Sequence, residues 1–241
     1  MNDPTLIEDL RDLTVVAPAG DAGTLGLAAP PVLDLDGLLE IACDSLVEAG
    51  WASLSVLPYL SAELITALRN EVELLDNSDA MKVAGIGRGE DLVQDRSIRR
   101  DRIAWLEGHT DAQATLFQLL ERIRHELNRR LFLGLKRFEA HYATYHPGDF
   151  YRTHLDSFQG RASRIVSLVL YLNDTWGEGD GGELQLYDRD LPGQACARVL
   201  PEGGRMVMFM SEEIPHEVLI AGRTRYSLAC WFRRDEIPLP L

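Results

Sequence analysis

The apolar pattern of this chain changes character at Gly134, and that change constrains the fold more than any other feature. After it, short runs rich in β-branched and aromatic residues recur between Gly, Asp and Pro turns: Phe138 to Tyr145, Tyr151 to Leu155, Arg164 to Leu172, Glu183 to Tyr187, Ala197 to Leu200, Arg205 to Met210, His216 to Ile220 and Arg225 to Phe232. Short strands at this spacing predict an all-β sandwich or barrel, with a jelly roll (double-stranded β-helix) as the leading choice. Before Gly134 the apolar period is helical. Asp36 is positioned to cap a helix closed by Gly50, Ser61 to cap a second, and Asp111 to open a third carrying Leu116, Leu120, Ile123, Leu127 and Leu131 on one stripe. The expectation is an α+β, mainly β domain over 34–241. It has helical support over 34–133, packed on one face of a jelly-roll core over 135–235. Residues 1–33, broken by Pro18, Gly20, Gly23, Gly26, Pro30 and Pro31, read as a loosely docked N-terminal arm.

Charge and cysteine content narrow the partners. A formal net charge of −14 repels phosphate backbones, which argues against nucleic acid as a general partner. No run approaches 18 uninterrupted apolar residues, and the first residues lack a secretory pattern, so neither membrane insertion nor export is expected. Cys43, Cys196 and Cys230 are scattered without CxxC spacing, which fits a reducing cytoplasm better than a disulfide framework or a zinc site. The Gly-Glu-Gly-Asp-Gly-Gly run at 177–182 is a turn; no Lys-Ser/Thr or helix follows it, so it is not a phosphate loop.

Three signals carry chemistry. In His154-Leu155-Asp156 an imidazole and a carboxylate at i and i+2 of a strand share one face. His216, after Pro215, opens a late strand that a jelly roll can bring beside an early one. Two histidines and one carboxylate with the other positions open form the donor set of non-haem Fe(II) oxygenases, whereas closed zinc sites take four protein ligands. Arg225, nine residues after His216, offers a guanidinium fork matched to the far carboxylate of a dicarboxylate bound at the metal. His141 and His146 compete as ligands, but their spacing of five places them on opposite faces of a regular strand.

With these residues in view, Phe138 to Trp231 resembles the catalytic domain of Fe(II)- and 2-oxoglutarate-dependent prolyl 4-hydroxylases, nearest the oxygen-sensing prolyl hydroxylases of animals and their bacterial relatives. The strings that carry the resemblance are Tyr145-His146-Pro147-Gly148, His154-Leu155-Asp156, Arg164 to Asn173, Trp176, Gly181-Gly182-Glu183-Leu184, Pro215-His216-Glu217-Val218, and Arg225-Tyr226 through Trp231, with Ile98 to Trp105 similar upstream. The resemblance implies that His154, Asp156 and His216 bind Fe(II), and that Arg225 holds the distal carboxylate of 2-oxoglutarate with help from Tyr145. It also implies that Tyr171, Leu184 and Val218 line the cosubstrate pocket, and that Arg164, Trp231, Asp101 and Arg99 meet the substrate. The implied reaction hydroxylates a prolyl residue of a protein while 2-oxoglutarate and O2 become succinate and CO2, with ascorbate as a candidate reductant.

Two other readings remain at this point: a same-fold oxygenase acting on a free amino acid or other small molecule, and a non-enzymatic jelly-roll binding module. Met81 to Gln94, with Gly85, Gly87 and Gly89, reads as a loop able to clamp an extended peptide, which favours a protein substrate. Arg96, Arg99, Arg100 and Arg102, with Arg152, Arg161 and Arg164 near the iron motif, predict a basic rim that attracts an acidic protein carrying an exposed proline loop. The bacterial members of the family suggest elongation factor Tu as the first candidate.

Overall fold

The computed structural model describes residues 34–85, 94–157 and 164–234. The expected N-terminal arm, the centre of the 81–94 loop and Arg161 lie outside the described residues. Three helices pack on a seven-stranded antiparallel sheet, and a four-stranded antiparallel sheet covers its other face. The elements are α1 (Leu35–Ala49), β1 (Trp51–Ser55), α2 (Ala62–Asn77), β2 (Lys82–Val83), β3 (Arg102–Trp105), α3 (Asp111–Leu131), β4 (Arg137–Tyr145), β5 (Tyr151–His154), β6 (Arg164–Tyr171), β7 (Leu184–Tyr187), β8 (Ala195–Val199), β9 (Arg205–Met210), β10 (His216–Val218) and β11 (Arg225–Arg233). The larger sheet runs β1-β9-β6-β11-β4-β3-β2 and the smaller β5-β10-β7-β8. This is the expected jelly roll with helices on one face.

The helix stripe Leu116, Leu120, Ile123 and Leu127 of α3 is fully buried against Tyr142, Leu168, Leu228 and Phe232 of the large sheet. The alternation of strand side chains gives the second face to the site: Ala143, Tyr145, Tyr171, Val207 and Phe209 point the other way, toward Leu184, Leu186 and Val218 of the small sheet.

Asp111 opens α3 as expected, with Thr110 as its cap. Two details differ from the sequence reading. The α1 cap is Asp34, whose carboxylate accepts from the Gly37 amide at 2.9 Å; Asp36 sits in the first turn and pairs with Arg122 instead. The part taken as helical support also supplies three strands. β1, β2 and β3 join the large sheet, with β1 paired to β9 and β3 to β4. These strands are two to five residues long, too short to show a period beside the helices that flank them.

The glycine run at 177–182 forms a 3-10 turn at Glu178–Asp180 that clasps the β10–β11 turn. The Gly182 amide donates to the Ile220 carbonyl and the Gly222 amide to the Asp180 carbonyl. At Gly181, φ is +67° and a Cβ would stand 2.3 Å from the Ile220 carbonyl oxygen, so only glycine allows this approach.

Candidate active site

The small sheet brings His154 and His216 face to face. β5 and β10 are antiparallel neighbours with these residues in register, and their rings lie 4.3 Å apart. Asp156 joins them by a different route from the one expected. β5 ends at His154, and the chain bends after it, so the carboxylate converges through the bend and not through strand alternation. Asp156 Oδ1 is 3.6 Å from His154 Nε2, and Oδ2 is 3.7 Å from His216 Nε2. One ligand atom from each residue lies within 4.8 Å of the others.

Backbone carbonyls fix both imidazoles. His154 Nδ1 lies 2.8 Å from the Arg152 oxygen and His216 Nδ1 lies 3.0 Å from the Ile214 oxygen. A ring nitrogen facing a carbonyl carries the proton, so both Nε2 lone pairs face Asp156. Burial, reinforced by His154, pushes the His216 imidazole down to about 4, which keeps it in its neutral, ligating form. Burial raises the Asp156 carboxyl, but His216, His154 and the Ser167 hydroxyl outweigh it and hold the group well below the usual carboxylate range. Two imidazoles and one carboxylate on one side, without a thiolate, suit Fe(II).

Past this triad lies a buried cation. Arg225 is 1% exposed; its Nη1 donates to Ser227 Oγ at 3.0 Å, and its Nε has no hydrogen-bond partner. Its guanidinium sits 4.8 Å from the Tyr145 ring centroid and 5.0 Å from that of Tyr171. Among the described residues no carboxylate pairs with it. A desolvated guanidinium without a counter-charge is costly, and an incoming carboxylate offsets that cost. The arginine is in register with Tyr145, and Gly182 clears room for its stem, since a Cβ there would lie 3.1 Å from Arg225 Cδ. Leu184 and Val218, both buried, belong to the same apolar cluster as Tyr145 and Tyr171. The residues of the expected cosubstrate pocket, Tyr145, Tyr171, Leu184, Val218 and Arg225, are therefore gathered in one place.

The expected substrate residues divide into two groups. Arg164 lies 3.7 Å above the Trp231 ring and pairs with Glu139 at 2.6 Å, a carboxylate it shares with Arg233. Burial raises Glu139, but the two arginines outweigh it and lower it. The half-exposed Trp105 stands near Trp231, and His141 fills the space between them, 5.1 Å from each ring. Asp101, by contrast, is fully buried and holds Arg99 in a bidentate pair at 2.6 and 2.8 Å. This corrects the expectation for both: a carboxylate with no exposed surface does not meet a substrate, and its fork is already filled. The basic rim is corrected with it. Arg99 and Arg164 are paired, and Arg102 pairs with Asp79, which leaves Arg100 and Arg152 over Phe150, with the Arg96 carbonyl accepting from Arg100 Nε. His146 is held by Asp76 at 2.9 Å and His141 by the Tyr142 carbonyl at 3.0 Å, both away from the triad.

Sequence reasoning missed Tyr151, stacked on His154 at 3.5 Å and 18°, and Ser167, whose hydroxyl donates to Asp156 at 2.6 Å. Ser167 did leave a signal: it is the lone serine inside the apolar run of β6.

A jelly roll with this triad and a buried guanidinium beside it defines an iron-dependent oxygenase that uses a 2-oxo acid. The family model of the 2OG-Fe(II) oxygenase superfamily matches residues 140–233. The crystal structure of a Pseudomonas putida prolyl-4-hydroxylase superposes with TM-score 0.74 at 39% identity, covering 82% of this chain and 100% of that one. A Trichoplax adhaerens prolyl hydroxylase, solved with a hypoxia inducible factor peptide, gives TM-score 0.72 at 26% identity over 82% of this chain and 90% of that one. Among curated proteins, Egl nine homolog 1 of Rattus norvegicus is 33% identical over 149 residues, which is 57% of this chain but only 42% of that protein. Prolyl hydroxylase EGLN3 of Homo sapiens is 28% identical over 210 residues, 83% of this chain and 85% of that one. The chain belongs to the 2OG-Fe(II) oxygenase superfamily, with Fe(II) as cofactor and 2-oxoglutarate and O2 as cosubstrates.

Proposed function

We propose that this chain hydroxylates a prolyl residue, at the 4-position, in an exposed loop of a protein. The observation that carries the cosubstrate half of the reading is the buried Arg225 guanidinium without a carboxylate; the relatedness to prolyl hydroxylases supports the substrate half. Bound Fe(II) supplies activation of O2, coupled to oxidative decarboxylation of 2-oxoglutarate to succinate and CO2. The chain's own residues do the rest. His154, Asp156 and His216 hold the metal from one side, and Ser167, itself 2.9 Å from the Ser211 hydroxyl, fixes the carboxylate. Arg225, Tyr145 and Tyr171 receive the distal carboxylate of 2-oxoglutarate, and Leu184 and Val218 keep that end dry. Trp231, Trp105 and the Arg164 plane form an aromatic mouth suited to a proline ring. Arg99 and Asp101 act from behind it.

The free cysteines fit the reducing, cytoplasmic setting of this reading, and ascorbate is its candidate reductant. No helix among the described residues is long and apolar enough to cross a membrane. Elongation factor Tu is the first substrate to test, approached through the Arg96, Arg100 and Arg152 patch. The deciding experiment incubates the purified protein with Fe(II), 2-oxoglutarate and a cell extract, then maps peptides that gain one oxygen atom. A hydroxylated proline supports the reading. Turnover of 2-oxoglutarate stimulated by a free amino acid, with no modified peptide, replaces it with the small-molecule reading.

A further inference from the structure

Arg99 lies in a segment that extends the small sheet along β5. It forms an antiparallel bridge with Tyr151; the Arg100 amide donates to the Phe150 carbonyl, and the Arg152 amide to the Ile98 carbonyl. The strand that carries His154 is thereby fixed from its free edge. The side chains repeat the arrangement. The Arg99 guanidinium is 4.6 Å from the Tyr151 ring centroid, and the opposite partner of that ring is the His154 imidazole, 3.5 Å away and within 18° of parallel. Asp101, fully buried, grips the guanidinium through two nitrogens and prevents it from turning. A third contact, from Nη1 to the Gly85 carbonyl at 3.3 Å, completes its seating.

We infer that Arg99 is a positioning residue for the metal centre, acting on the ligand His154 through the face of Tyr151. Among the described residues the imidazole is held at Nδ1 by the Arg152 carbonyl at 2.8 Å, which sets its tautomer, and faces Asp156 across Nε2 at 3.6 Å, so both contacts lie along one axis and the ring can rock about it. The tyrosine face removes that freedom, and the arginine fork fixes the tyrosine. A cation against one face of the ring also draws on its quadrupole, so the stack is electrostatic as well as steric. Arg99 touches neither metal nor substrate in this account, and Asp101 serves it as the anchor.

The inference rests on the metal centre described above, and the test separates the two. Co(II) is titrated into the metal-free protein, with the visible ligand-field bands read alongside affinity. One equivalent bound by the parent, and none by His216→Ala, establishes the centre itself. Arg99→Lys keeps the charge and a link to Asp101 but gives up the flat fork; Arg99→Met with Asp101→Leu removes the pair without stranding a buried charge. Each is made in the parent and in Tyr151→Leu. Partners of metal ligands typically change affinity by about 10–100-fold. The expected result is a loss toward that range for the paired variant, a smaller loss for Arg99→Lys, shifted Co(II) bands in both, and no additional loss once Tyr151 is Leu. If the paired variant does not fold, Arg99→Lys in the two backgrounds decides alone. Equal losses with and without Tyr151, or unchanged affinity and bands, overturn the inference.

Discussion

The Ser167 hydroxyl donates to Asp156 Oδ2 at 2.6 Å, so a residue in the middle of the large sheet holds the carboxylate that the small sheet's histidines face. Ser211 lies 2.9 Å from the same hydroxyl, and the pair ties β6 and the turn after β9 to the metal centre. Ser167→Ala removes one hydrogen bond to a charged acceptor in a buried site. Metal affinity is expected to fall about tenfold, within the usual range for such partners, while cosubstrate affinity measured at saturating metal stays close to the parent's. Isothermal titration with Co(II) checks this, and an unchanged metal affinity refutes it.

Arg225 gives a prediction with two signs. Without cosubstrate its guanidinium is buried and uncompensated; on the function proposed above, the cosubstrate's distal carboxylate compensates it. Arg225→Met is therefore expected to leave the ligand-free protein as stable as the parent or more so. The same variant weakens 2-oxoglutarate binding by about 2–5 kcal/mol, orders of magnitude in affinity, since the ligand's carboxylate is left unpaired. Thermal melting with and without 2-oxoglutarate reads both. A variant that melts lower without ligand, yet is stabilised by 2-oxoglutarate as the parent is, removes Arg225 from the pocket.

How legible this molecule is depends on how local each signal is. The strand runs after Gly134 show in the sequence because each alternates or is wholly apolar over several residues, and Arg205–Met210 lies within the bounds expected. β2 and β3 do not show, because strands of two and four residues gain their identity only from pairing across the chain, β3 with β4. The same holds at the site. His154, His216 and Arg225 stand out as residue types that a strand rarely buries. Asp101 and Arg99 invite a surface reading until the structure shows one filling the other's fork at zero exposure for the carboxylate. No spacing rule announces that pairing, since i and i+2 in an irregular segment carry no fixed facing.

His141 carries a pH dependence. Burial, assisted by Arg99, lowers its imidazole from 6.5 to about 4. The folded state therefore resists a proton that the unfolded chain accepts. The stability due to neutral His141 is fully present above pH 6.5, declines as pH falls through the window from 6.5 to about 4, and is gone below it. At pH 5 the loss from this residue is about 2 kcal/mol, from about 1.4 kcal/mol per pH unit. His216 titrates in the same range, so the measurement is a difference: urea unfolding of the parent and of His141→Leu at pH 7.5 and pH 5, at equal metal loading. The variant should lose less by about that amount. Parallel losses in both proteins place the acid sensitivity elsewhere.

The remaining basic patch sets the last prediction. Arg100 and Arg152 lie over the Phe150 ring at 4.7 and 4.4 Å, and Arg96, whose carbonyl accepts from Arg100 Nε, stands beside them. Among the described residues none of the three is in an ion pair, unlike Arg99, Arg102 and Arg164. On a chain of net charge −14 such a patch is a local exception that draws an acidic segment and repels a basic one. Steering of this kind acts on encounter and is screened within about 10 Å at 0.1 M salt. Hydroxylation of elongation factor Tu, or of whichever protein the extract experiment yields, should slow markedly between low and high salt for the parent. It should slow less for the Arg100→Ala, Arg152→Ala pair, with the maximal rate at saturating substrate nearly equal in both. Arg99 is left untouched in this test because its charge is already committed to Asp101. The same salt response in parent and variant removes the patch from substrate capture, and it leaves the metal centre and the Arg225 pocket as they stand.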